Sequence, residues 1–244
     1  MNFTLPDGST QQAVGSLTDD GYKYTCEVAA KKMTEEIKAQ VVAGDAVSKE
    51  YTYSVKDYAD TILSDEATYE KEIPLVKAML NYGAYAQTYF GYNTEALANA
   101  GLTDTDVSGV TAATLNGFAK EAQSNAIAGL AGASLILESE TTLKLYFTLS
   151  DEANVSSYTF SMGSETLTPE KSGTYYYVAI TNIDAKNLDT DYTVKVTSGG
   201  TDLEVTYSPM TYCYNVLNGS YSDELKNVVR ALYLYNSAAN TYFA

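Results

Sequence analysis

The sequence predicts an α+β protein of two tandem repeats. Each repeat is an antiparallel β-sandwich-like unit followed by a short and a long α-helix. Three observations predict this. The chain states one segment twice: residues 77–90 read KAMLNYGAYAQTYF and residues 230–243 read RALYLYNSAANTYF. The two match at Ala78/Ala231, Tyr82/Tyr235, Ala86/Ala239, Thr88/Thr241, Tyr89/Tyr242 and Phe90/Phe243. The match continues upstream at a spacing of about 154 residues, the mark of an internal repeat. There Tyr53-Ser54 meets Tyr207-Ser208, Tyr58 meets Tyr212, and VAAKKM at 28–33 resembles IDAKNL at 183–188. Finally, short alternating apolar runs precede each pair of helical patterns, as half-buried strands require.

In the first unit, 2–5 reads as a strand that turns at Pro6-Asp7-Gly8, and 22–28, 37–42 and 47–53 read as further strands. Ser54 is placed to cap a short helix ending near Leu63. A longer helix covers about 71–90, with Leu75, Val76, Met79, Gly83, Ala86 and Phe90 on its apolar face. Gly91 is its natural stop. Gly83 and the neighbouring alanines leave room for another backbone. The unit spans 1–92.

Residues 93–131 form an Ala/Thr-rich connection with an expected helix over 112–126. It is too long for a simple link and is expected to pack across the domain junction. The second unit, 132–244, opens with strands at 133–138 and 142–149. In the latter, Leu143, Leu145, Phe147 and Leu149 face one side and Lys144, Tyr146 and Thr148 the other. Strands follow at 157–162, 175–180, 192–197 and 203–207. Ser208 and Pro209 begin a short helix ending near Leu217, because proline suits the first helical turn. A long helix covers 222–243, with Leu225, Val228, Val229, Leu232, Asn236, Ala239 and Phe243 on one face.

The copies are unequal. Residues 2–5 match the third strand of the second unit, so nothing in the first unit answers 133–149. The first unit is expected to lack its N-terminal strands, or to pair its exposed sheet edge with another chain.

Composition narrows function. Lys and Arg total 15 against 31 Asp and Glu, a net charge of −16. Nucleic acid is excluded as a partner, since phosphate neutralisation needs basic residues. An anionic membrane surface is disfavoured for the same reason. No apolar run reaches spanning length. The opening residues read as strand and turn rather than a signal peptide, so a targeting segment is expected upstream. Histidine is absent, which removes Ser-His-Asp and Cys-His catalysis and His-ligated metals. Tryptophan is absent and tyrosine reaches 23, a balance that suits binding of neutral polar ligands. Cys26 and Cys213 are not repeat equivalents and read as two small buried residues rather than a disulfide.

The residues therefore predict no enzyme and no cofactor. Asp104, Asp106 and Ser108 resemble the front of a calcium loop, but the twelfth position is Leu115, which offers no oxygen; a capping turn explains them better. Tyr82, Tyr89 and Phe90, with Tyr235, Tyr242 and Phe243, read as pegs fixing each helix to its sheet. A ligand site is expected where the copies differ. Tyr85 faces Ala238, Tyr233 faces Leu80, Tyr214 faces Asp60, and Tyr92 and Tyr221 have no counterpart. Asn93, Asn236 and Gln87 stand beside these tyrosines as candidate partners for sugar hydroxyls.

The segments YSVKDYADTIL, LVKAMLNYGAYAQTYFGYN and ANAGL, with SYSDELKNVVRALYLYNSAANTYF, resemble a module of large secreted or cell-surface proteins of gut clostridia and ruminococci. The resemblance covers nearly the whole chain. Some members of that family resemble starch adherence proteins, which hold α-glucan without cleaving it. It implies a secreted or cell-surface, non-catalytic module that binds polysaccharide or a surface glycoprotein, and a groove between the units is the expected place for the ligand. An adhesin for host protein and a purely structural spacer are the alternatives. No binding motif transfers residue by residue.

Overall fold

Alternating and helical apolar patterns give mixed α and antiparallel β structure. In the computed structural model, which describes all 244 residues, they group into two units, Met1–Thr105 and Asp106–Ala244. The 93–131 segment is therefore divided, its first part belonging to one unit and the rest to the other.

Unit 1 contains β1 (Asn2–Thr4), β2 (Thr10–Gln12), β3 (Ser16–Thr18), β4 (Gly21–Lys23), β5 (Ile37–Gln40), β6 (Val42–Ala43), β7 (Ala46–Val47) and β8 (Tyr51–Tyr53). They form one four-stranded antiparallel sheet, β2-β1-β5-β8, and two ribbons, β3-β4 and β6-β7. The strand expected over 22–28 is only the short β4. Phe3 and Ile37 are the buried residues of the sheet.

A 3-10 turn, Ala30–Lys32, follows, with Ala29, Ala30 and Met33 buried. Helix α1 (Val55–Leu63) starts at a reciprocal cap. Ser54 Oγ accepts from Asp57 N at 3.0 Å, and the Asp57 carboxylate accepts from Ser54 N at 3.0 Å. Lys56 N donates to Met33 O at 2.9 Å, tying the helix start to the 3-10 turn. Helix α2 (Ile73–Phe90) ends at Gly91, φ 60°, a left-handed stop that glycine adopts without cost. It packs on α1 and on the 3-10 turn rather than on the sheet. Gly83 makes this approach. A Cβ there would lie 3.1 Å from Ala30 O and 2.8 Å from Met33 Sδ.

Residues 93–105 wrap back onto α2. Gln87 is fully buried, donates to Asn93 O and Ala96 O, and accepts from Ala98 N at 2.8 Å. Asn81 adds bonds to Thr105 O and Asn99. A buried amide with all these partners holds an irregular segment that has no ladder of its own.

Unit 2 contains β9 (Ala128–Leu137), β10 (Thr141–Leu149), β11 (Thr159–Met162), β12 (Glu165–Leu167), β13 (Glu170–Ser172), β14 (Tyr175–Ile180), β15 (Tyr192–Ser198) and β16 (Thr201–Tyr207). These make two four-stranded antiparallel sheets, β13-β14-β10-β9 and β12-β11-β15-β16. Their apolar faces meet. Leu143, Leu145, Phe147 and Val178 come from one sheet, and Phe160, Val194, Val196 and Val205 from the other, all buried. Phe147 meets Phe160 edge-on at 5.4 Å between ring centres.

The free edge of β16 is held by Gln123, whose side-chain amide donates to Thr206 O at 3.0 Å and accepts from Thr206 N at 2.7 Å. The helix expected over 112–126 does not form; only the 3-10 turn Asn116–Phe118 appears there. The segment has alanines but no apolar stripe for a helix to bury, and Gly117 interrupts it. It is held as extended chain and turns instead.

Helix α3 (Pro209–Asn218) starts at a buried cap in which Ser208 Oγ accepts from Thr211 N at 3.1 Å. Met210 N donates to Leu188 O at 3.1 Å. Helix α4 (Asp223–Tyr242) packs on α3 and on the 3-10 turn Ala185–Asn187. Val228, Val229, Leu232, Asn236 and Ala239 form its buried face.

The expected pegs are corrected in part. Tyr82 is buried, but Tyr89, Phe90, Tyr242 and Phe243 stand exposed at the helix ends. They stack edge-on within each pair, at 4.9 Å in both units. Lys31 caps the Phe90 ring at 4.6 Å, and Lys186 caps the Phe243 ring at 5.4 Å. These pairs lock each helix end to its 3-10 turn, not to a sheet.

Candidate functional site: a tyrosine face on unit 2

Alternation along β10 sends Leu143, Leu145 and Phe147 inward, so Lys144 and Tyr146 stand on the outer face. Register then decides their neighbours. Tyr146 lies opposite Tyr177 of β14 on one side and Gly132 of β9 on the other. Lys144 lies opposite Ser134. Tyr175 and Tyr177 share the outer face of β14, opposite Ser172 and Glu170 of β13.

The result is a polar aromatic surface across four strands. Tyr146 and Tyr177 pack ring to ring at 5.4 Å, tilted by 42°. Lys144 Nζ sits 4.2 Å from the Tyr177 ring centre. Tyr177 donates its hydroxyl to Glu170 Oε2 at 2.6 Å, and the Tyr146 and Ser134 hydroxyls are 3.2 Å apart. Gly132 leaves open space beside Tyr146, since nothing lies within 4 Å of where a Cβ would be. Tyr175 is exposed at the end of the row. Aromatic faces, a carboxylate, an ammonium and hydroxyls thus stand fixed on rigid strands. Such a face can hold a ligand with apolar C–H surfaces and many hydroxyls.

The residues expected from the sequence lie elsewhere, and most are already engaged. In unit 1, Tyr85 is half-buried and donates to Thr105 O at 3.0 Å. Tyr92 donates to Glu35 Oε1 at 2.5 Å, a bond that pushes its hydroxyl up to about 12. Asn93, at φ 46°, donates to Thr34 Oγ1 at 3.0 Å. These three pin the 93–105 segment. In unit 2, Tyr214 and Tyr233 are half-buried on α3 and α4, and Tyr221 is exposed between the two helices. Asn236 is corrected: it is buried, and its amide donates to Ala185 O at 2.7 Å. Gln87 is corrected likewise, being fully buried and bonded.

The residues that resemble the front of a calcium loop form a turn. Asp106 accepts from Ser108 N at 2.9 Å and from Ser108 Oγ at 2.7 Å, bonds that hold its carboxyl below the usual range. Leu115 is fully buried, and no group of three or more Cys, Asp or Glu is placed to hold a metal. Asp104, Asp106 and Ser108 are turn residues.

Tyr146 was legible as outward-facing from alternation. The sequence does not reveal that Tyr177 meets Tyr146, because their meeting depends on pairing between strands far apart in sequence. Compared with known proteins, the chain matches no family model, no curated protein and no solved structure.

Proposed function

We propose that the chain is two copies of one β-then-α unit, and that it serves as a non-catalytic module of a secreted cell-surface protein that holds glycan. Several parallels support the duplication. The sheet order β2-β1-β5-β8 answers β12-β11-β15-β16. The Ser54 and Ser208 caps, the Lys56–Met33 and Met210–Leu188 backbone bonds, and the Lys31–Phe90 and Lys186–Phe243 clamps answer one another. Independent origins would have to arrive at each of these at one spacing.

The observation carrying the glycan reading is the outer face of β9, β10, β14 and β13. Sugar rings present C–H faces to aromatic rings and hydroxyls to polar neighbours, and tyrosine offers both an apolar body and a polar tip. Tyr146 and Tyr177 supply the rings. Glu170, Lys144 and Ser134 supply the polar partners, and Gly132 the open space.

Affinity electrophoresis through starch, xylan and mucin tests this. The chain is expected to be retarded by at least one of them, and Tyr146→Ala and Tyr177→Ala each to weaken retention about tenfold, as for a central aromatic anchor. Both variants should keep the native circular dichroism. No retardation on any of the three overturns the reading.

A further inference from the structure

The covering of the two equivalent sheets differs. In unit 2, β9 and β10 complete the second layer over β12-β11-β15-β16, and Phe147 of β10 seats against Phe160. In unit 1, the ribbon β3-β4 occupies the place of β13-β14, with Ser16 and Gly21 matching Glu170 and Tyr175 at the repeat spacing. There the layer stops. Strand β14 pairs with β13 on one edge and β10 on the other, whereas β4 pairs with β3 alone. Its second edge has unpaired backbone groups, which seek a strand.

An apolar cleft of about 630 Å³ opens in the same unit. Phe3, Ile37, Ala39, Tyr24, Val28 and Tyr58 are among the residues that line it. Around these strands the apolar surface is unusually open. Val14 is 96% exposed and Leu17 74%, and Tyr22, Val42, Val47, Tyr51 and Tyr53 are exposed with them. Among the strands of unit 2, Tyr175 is the one large apolar residue so exposed. Leu17 and Tyr22 are cross-strand partners on the β3-β4 ribbon, so apolar surface is contiguous there, as at an interaction surface.

We propose that unit 1 is completed by a β-hairpin donated by a partner polypeptide other than a second copy of this chain, whose own β9-β10 hairpin is already seated in unit 2. One strand of it pairs with the free edge of β4 and sends alternate apolar side chains into the cleft. The occupant's chemistry follows from unit 2, where the equivalent place is filled by a hairpin with Leu143, Leu145 and Phe147 at alternate positions. Backbone pairing supplies affinity, and the alternate pockets supply register, as in strand addition generally. The inference rests on the duplication proposed above, but not on glycan binding, whose residues all lie in unit 2.

Residues 128–149 copied ahead of Met1 through a Gly/Ser linker provide the probe. Cys26 lines the cleft, while Cys213 is fully buried, so thiol labelling of the folded chain reads the cleft alone. The fused hairpin is expected to slow Cys26 labelling at least tenfold and to slow amide exchange at 21–23. A control fusion carrying Asp in place of the copied Leu145 and Phe147 should do neither. Retention on glycan should be the same in all three chains. Unchanged labelling and exchange in the fused chain overturn the proposal. So does labelling of the unfused chain that slows with its own concentration, since the occupant would then be a second copy.

Discussion

Gly83 and Asn236 occupy matching positions on the two long helices, and each meets the same carbonyl of its 3-10 turn. Gly83 lets Ala30 O approach to where a Cβ would be 3.1 Å away, and Asn236 donates its amide to Ala185 O at 2.7 Å. In the sequence, Gly83 signals a close backbone approach and Asn236 lies on the apolar stripe, but nothing there names the carbonyl its amide meets. A polar residue on an apolar stripe reads equally well as a surface partner until its neighbour is known. Gly83→Ala should gain up to about 1 kcal/mol of helix propensity. The contacts at Met33 Sδ, Ala30 O and Ala98 Cβ should outweigh that gain, because overpacking costs about 1–3 kcal/mol. The expected result is a lower urea midpoint with an unchanged slope.

At the scale of elements, the helices were the most legible part. Ser54 and Ser208 start α1 and α3 where the caps predict, and Gly91 ends α2. Local chemistry decides these boundaries, so one sequence carries them. The 93–131 segment was less legible because its partners are distant: Gln87 for the first part, and Thr206 and Arg230 for the second. Long-range register also hid the tyrosine face, although its outward alternation on β10 was readable. Ser208→Ala removes the acceptor of Thr211 N inside a fully buried cap. It should cost about 1–2 kcal/mol, measured by chemical unfolding, since no water can take the place of the lost oxygen. Ser208→Asp should not restore it, because the site would then bury a charge.

The whole molecule is an acidic, tyrosine-rich chain, and its stability should respond to alkali through both properties. Burial pushes Tyr207 up to about 12 and also raises Tyr192 and Tyr235, while the Glu35 bond raises Tyr92 to about 12. A raised tyrosine keeps its proton in the folded state after the unfolded chain has lost it. Its contribution is therefore full below about pH 10 and is lost as pH rises from 10 toward 12. For Tyr207 alone the loss approaches roughly 3 kcal/mol. Each further ionisation adds to a net charge already at −16, so self-repulsion works in the same direction. Denaturation at pH 9 and pH 11.5 should show a marked fall in stability, and Tyr207→Phe should show a smaller one. The two carbonyls met by Gly83 and Asn236 also decide which parts of the units could be exchanged. Helix α4 put in the place of α2 would bring an amide into a gap with no room for it. The reverse exchange would leave Ala185 O without a donor. Each long helix and its 3-10 turn therefore form the smallest block that can be exchanged intact, and a transplant of the helix alone should lower stability in either direction.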